Sequence, residues 1–195
     1  MSSTTTPLNF FAIIQVDESE EIRLLRTSSA VQQQLSDIFQ KEASHFTDPN
    51  LEHVAFSQTY NTDTSEVFSI TDFELNSDIE PAIDDPASID SLDISSGDLP
   101  PIKSIFTGWK SDNGELNVAF QLFKKNQYLT RSGISLIISK DTFTELSTPG
   151  IIITYELVAF YQNGTLLFDS FFQARQIFKL ADHYRQSTQA DIDDF

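Results

Sequence analysis

The densest run of side chains able to do polar chemistry is Phe120-Gln121-Leu122-Phe123-Lys124-Lys125-Asn126-Gln127-Tyr128-Leu129-Thr130-Arg131. In an extended chain Lys125, Gln127, Leu129 and Arg131 project to one side. Cations there neutralise phosphates and an amide hydrogen-bonds one, with Tyr128 on the other side free to stack or pack. Lys124, Lys125, Gln127 and Arg131 are therefore the candidate nucleic-acid-binding residues. The competing assignment is structural: the same cations answer the acidic block at 63–98 within one fold.

Other constellations point to no reaction. His45, His53 and His183 lack the His-x-x-x-His or His-Glu-x-x-His spacing of a zinc site and read as structural or surface residues. Asp84-Asp85 lacks the alternating acids of a calcium loop and reads as solvated loop. No Gly-x-Ser-x-Gly elbow and no glycine-rich phosphate loop occurs among six glycines. With no cysteine there is no disulfide, thiolate ligand or thiol nucleophile. The expectation is a non-enzymatic chain with no catalytic residue, metal, cofactor or small-molecule substrate. Trp109 reads as core or edge packing, and Arg175, Lys179 and Arg185 as the solvated flank of a helix.

Charge narrows the partners. The 195 residues carry 29 acids against 12 bases, a net charge of −17. Such a field repels phosphate backbones and anionic lipids and also serves solubility. No Lys or Arg stands between Lys41 and Lys103, whereas 103–185 hold nine bases against seven acids. A separation of this kind can guide a partner to one face or mark solvated loops. No apolar run reaches the length of a membrane-spanning helix and no signal-peptide layout is present, so a cytoplasmic location is expected.

The elements that must position these residues follow from periodicity. Residues 8–16 and 22–26 read as strands joined through 17–20. A helix then starts at a Ser29/Gln32 capping box, with Val31, Leu35, Ile38, Phe39 and Phe46 on one face, and stops at Asp48-Pro49-Asn50. Strands are expected at 51–59 and 66–70. Pro81, Pro86, Gly97, Pro100 and Pro101 make 76–101 an acidic surface excursion with short helical turns. Hairpins are expected across Asp112-Asn113-Gly114 and Asn163-Gly164, with strands at 134–139 and 142–146 and a long strand at 151–161. A last helix begins at a Ser170/Gln173 capping box, with Ala174, Ile177, Phe178, Ala181 and Tyr184 as its stripe. The expected architecture is α+β: a mostly antiparallel twisted sheet with helices against one face or end. Residues 1–7 form a tail, 8–186 a single domain, and 187–195 the start of a helix leading into further protein.

The run from Ala159 through Asn163-Gly164, Leu166-Leu167-Phe168 and Ala174-Arg175-Gln176-Ile177-Phe178-Lys179-Leu180 to Thr188 resembles the KwaB-like family, known from the Kiwa anti-phage system. Phe120, Gln121, Phe123, Lys125, Gln127, Leu129, Arg131 and Gly133 are similar too, as are 66–73 and 102–106. The likeness is diffuse, covers roughly 9–195, and matches the N-terminal part of the family. It implies antiviral defence, self-assembly, a small membrane-protein partner, and DNA binding by the complete protein. The charge of −17 departs from a DNA-binding surface, so the expectation is an interaction and assembly domain. The alternative is an acidic DNA mimic or inhibitor that binds a nucleic-acid enzyme.

Overall fold

The computed structural model describes residues 7–57, 62–63, 65–94, 100–129, 136–139, 141–146 and 149–180. The chain begins with a hairpin, β1 (Phe10–Val16) and β2 (Ser19–Leu25), turned at Asp17, whose φ of 52° is a conformation that Asp tolerates better than most residues. The helix α1 (Ser29–Phe46) buries Leu35, Phe39, Ala43 and Phe46, spaced by four, four and three residues on one face. Its expected capping box does not form. Ser28 is the N-cap, and the Gln32 amide donates instead to the Leu8 carbonyl at 3.0 Å and to Asn9 Oδ1 at 3.3 Å. Ser36, fully buried, accepts the Leu8 N–H at 2.8 Å and fastens the helix to the start of β1.

Next come β3 (Glu52–Ala55) and β4 (Glu66–Ile70), which pair in parallel, then α2 (Ile79–Asp84) and a 3-10 turn at Pro86–Ser88. The expected surface excursion is more tightly held than its prolines suggest. Ile79 and Ala82 are buried and anchor α2 to the sheet, while Asp78, Glu80, Asp84, Asp85, Asp90 and Asp93 stay exposed. Leu24 exchanges backbone bonds with Asp90 and Leu92, so this segment also covers the β2 edge.

The hairpin β5 (Ile102–Lys110) and β6 (Leu116–Leu122) turns at Gly114, φ 83°. A 3-10 turn (Lys125–Gln127) leads to β7 (Tyr128–Leu129), β8 (Leu136–Ser139), β9 (Thr142–Glu145) and β10 (Gly150–Ile151). The chain closes with β11 (Ala159–Gln162), β12 (Thr165–Phe168) and α3 (Phe171–Ile177). Asn163 and Gly164 both have positive φ, 45° and 83°, as the two-residue turn requires. Ser170 caps α3 without a side-chain bond, and the helix stops at Ile177 because Phe178 turns extended; Ala181, Tyr184 and the expected start at Thr188 lie outside the described residues.

One eight-stranded sheet results, in the order β2-β1-β5-β6-β11-β12-β4-β3, antiparallel except for β3 with β4. The fold is the expected α+β sheet with packed helices, but the helices cover both faces. Phe10, Ala12 and Ile14 pack with α1, whereas Phe11 and Ile13, one residue out of phase, share the opposite core with Ala82 of α2 and Ile177 of α3.

Phenylalanine supplies the cross-strand order. Phe11, Phe106 and Phe120 stand opposite one another on β1, β5 and β6, with ring centroids 5.1 Å and 5.8 Å apart. Phe120 then meets Phe178 edge-on at 4.9 Å. Burying one such ring contributes about 1.5–3 kcal/mol, and aromatic pairs add about 0.5–1.5 kcal/mol beyond their area. Trp109, half-buried, packs against Phe160 at 5.9 Å at the margin of the core, within the core or edge packing expected of it.

Candidate functional site

The segment carrying the expected basic cluster is not extended. Residues 125–127 form the 3-10 turn, so Lys125 and Gln127 do not share a strand face. Gln127 is 4% exposed, and both ends of its amide are engaged. Its Oε1 accepts the Lys124 N–H at 2.7 Å, and its Nε2 donates to the Ile152 carbonyl at 2.8 Å. An amide 4% exposed and held at both ends by backbone groups is turned away from any phosphate outside, so Gln127 is withdrawn from the nucleic-acid set. Lys124 and Lys125 are exposed. Arg131 lies outside the described residues.

Among the described residues Lys124 and Lys125 do not answer the acidic block. Lys110 does: its ammonium lies 2.9 Å from Asp84 Oδ2 and 3.1 Å from Glu80 Oε1, which raises its pKa above the ordinary lysine value. Lys124 and Lys125 make no ion pair among the described residues.

Gln121 completes what Gln127 begins. It is 1% exposed and its Nε2 donates to the Thr154 carbonyl and hydroxyl, each at 2.8 Å, and to the Glu156 carbonyl at 3.1 Å. The single long strand expected at 151–161 is therefore interrupted. Two glutamine side chains take the backbone groups of 152–156 that a neighbouring strand would otherwise bond, and ladder pairing with β6 resumes at Ala159. Lys124, Asn126, Gln127, Thr154, Glu156 and Gln173 line a small cavity of about 120 Å³ beside this network.

The network is the base of an arm. Tyr128 pairs with Ile151 and Leu129 with Gly150. The Tyr128 hydroxyl donates to the Pro100 carbonyl and accepts the Ile102 N–H at 3.0 Å, tying the arm to the start of β5. Burial pushes the Tyr128 phenol above its usual pKa, with the Ile102 hydrogen bond pulling the other way. Between β7 and β10 lies the hairpin β8–β9, turned at Asp141 with φ 62°. Ile138 stands opposite Phe143 and Leu136 opposite Glu145, which places Leu136, Ile138 and Phe143 on one face. They are 57%, 68% and 65% exposed, and every residue of β9 is exposed.

No family model, curated protein or solved structure matches this chain.

The remaining candidates are placed as follows. His45 Nε2 lies 3.5 Å from Asp169 Oδ1, and His53 Nε2 lies 3.1 Å from the Phe46 carbonyl, so the two imidazoles have separate partners. His183 and Arg185 lie outside the described residues. Asp85 closes α2 through its N–H to the Pro81 carbonyl at 2.9 Å. Arg175 sits over the Phe172 and Phe171 rings, 5.2 Å and 5.7 Å from their centroids. Among the described residues no three His, Asp or Glu side chains are grouped to hold a metal ion, and no helix is long and apolar enough to cross a membrane. The arm's apolar face escaped sequence reasoning, because Leu136, Ile138 and Phe143 are the residue types of a core strand.

Proposed function

We propose that this chain is a non-catalytic assembly module of a cytoplasmic, KwaB-like anti-phage protein, and that copies of it join through the β8–β9 arm. The exposed apolar face of Leu136, Ile138 and Phe143 carries the reading; the antiviral role rests on the resemblance alone. A two-stranded hairpin is marginal in water without a further strand or a packed face. Two arms joined edge to edge about a two-fold axis give each its missing strand and cover. Charge favours the same place. Copies bearing −17 repel, but between Arg131 and Glu156 the only charged residues are Lys140, Asp141 and Glu145. The test is light scattering on the full chain over a range of concentration and salt. A mass above the monomer is expected, growing with ionic strength as repulsion is screened and lost in Ile138→Glu and Phe143→Glu. A monomer under every condition rejects the proposal. DNA binding and the membrane-protein partner remain properties proposed for the complete protein, with Lys124, Lys125 and Arg131 as the candidate cations of this chain.

A second reading is favoured by the exposed acids of 78–93, held in place by Ile79 and Ala82. That surface suits capture of a basic nucleic-acid enzyme in place of its DNA. Competition with duplex DNA for such an enzyme at low salt tests it, and absence of competition removes it.

A further inference from the structure

A groove of about 560 Å³ runs between the loop after β4 and the end of α3. Its floor is apolar and fixed. Phe73, Ile177 and Phe178 are 8%, 3% and 9% exposed. Phe73 and Phe178 meet edge-on at 5.5 Å, and the Phe73 N–H donates to the Gly164 carbonyl at 2.8 Å. The rim is acidic: among the described residues Glu20, Asp72 and Glu74 stand against one cation, Lys179. Glu20 is already paired with Lys103. Asp72 and Glu74 are exposed and have no ion-pair partner among the described residues. Asp78 and Glu80, also exposed, continue the negative surface beyond the groove.

We propose that this groove binds a basic segment of a partner protein in which Arg or Lys alternates with apolar residues. The apolar side chains would lie on Phe73 and Phe178 and the cations would meet Asp72 and Glu74. The volume is that of a preformed ligand site, about 300–1,000 Å³, with room for a few side chains. Charge complementarity selects the occupant, since nucleic acid and anionic lipid are repelled by the rim. Continuation of the acids past the groove favours a chain over a lone small amine. The proposal does not depend on the arm, and loss of self-association leaves it standing.

The experiment is a titration of the 15N-labelled full chain with acetyl-Leu-Arg-Leu-Arg-amide, followed by backbone amide shifts. Saturable shifts are expected at residues 72–77 and 177–179. Acetyl-Ser-Arg-Ser-Arg-amide keeps the charge without the apolar contact, and acetyl-Leu-Glu-Leu-Glu-amide does the reverse; both are expected to bind far more weakly. Asp72→Asn combined with Glu74→Gln should weaken binding about tenfold, the scale of two lost exposed ion pairs. Asn is suited to position 72, where φ is 54°. Lys179→Glu should tighten binding. Absence of shifts at millimolar peptide, shifts confined to other residues, or equal binding of the Ser-Arg peptide overturns the proposal.

Discussion

Gln121 Nε2 lies 2.8 Å from both the carbonyl and the hydroxyl oxygen of Thr154, inside a site where Gln121 is 1% exposed. This contact decides where β11 begins. Gln121→Leu preserves bulk but leaves the carbonyls of Thr154 and Glu156 without their donor. A lost hydrogen bond costs about 0.5–1.5 kcal/mol, and about 1 kcal/mol lowers Tm by roughly 2–4 °C in a chain of this size. Thermal unfolding should show a drop of several degrees, with faster amide exchange concentrated at 152–158. An unchanged Tm would mean that the amide is dispensable.

Ile83 of α2 packs directly onto Gly108 of β5. A Cβ there would stand 2.2 Å from Ile83 Cδ1 and 3.1 Å from the Asn117 carbonyl oxygen. The Ile83 side chain can rotate away, but the Asn117 backbone in β6 cannot. Gly108→Ala should therefore cost about 1–3 kcal/mol, as overpacking does. Removing the Ile83 Cδ1 by Ile83→Val should restore part of the loss, and a double-mutant cycle by denaturant unfolding measures the coupling. Independent, additive effects would contradict the contact.

A loss of stability as pH rises should appear at Asp169. Burial holds its carboxyl above the ordinary value of 3.8, against the opposing pull of His45. A raised folded-state value means that the folded chain favours the protonated acid. Its stabilising contribution is complete below the unfolded value and is lost as pH rises through the folded value. Asp169→Asn removes the charged form, so the variant should unfold at a higher temperature than the wild type at pH 7, and the difference should fade toward about pH 4. The gain will be modest, because the side chain is 48% exposed. A lower Tm for the variant at pH 7 would show that the His45 contact outweighs burial.

The turns and the α+β class were legible in the sequence because their signals are local. Asp112-Asn113-Gly114 and Asn163-Gly164 need only their own backbone dihedrals, and both glycines take φ 83°. The phenylalanine content announced an aromatic core, but not that Phe11, Phe106 and Phe120 would stand in register. Long-range relationships were hidden. The parallel pairing of β3 with β4, the break in the strand at 151–161 and the burial of Gln127 depend on partners remote in sequence. Gln32 matched a capping box locally and was taken by Leu8 and Asn9 instead. The groove needed Phe73 and Phe178 to meet, which no local pattern encodes.

The same distinction separates Lys125 from Gln127, two residues apart in sequence. Lys125 is exposed and unpaired among the described residues, so Lys125→Glu should change stability by no more than about 0.5 kcal/mol. Gln127 bridges the Lys124 N–H and the Ile152 carbonyl from a buried position. Gln127→Ala leaves both groups without that partner and opens a void, for a loss of about 1–3 kcal/mol. The arm should register the change, because its base ladder pairs Tyr128 with Ile151 directly beside Gln127. Amide exchange at Tyr128, Leu129 and Ile151 should accelerate in Gln127→Ala and stay unchanged in Lys125→Glu. Binding to duplex DNA at low salt should distinguish them in the opposite sense, with only Lys125→Glu lowering whatever affinity the chain has. A Gln127→Ala protein of wild-type stability but reduced DNA affinity would return Gln127 to a nucleic-acid surface.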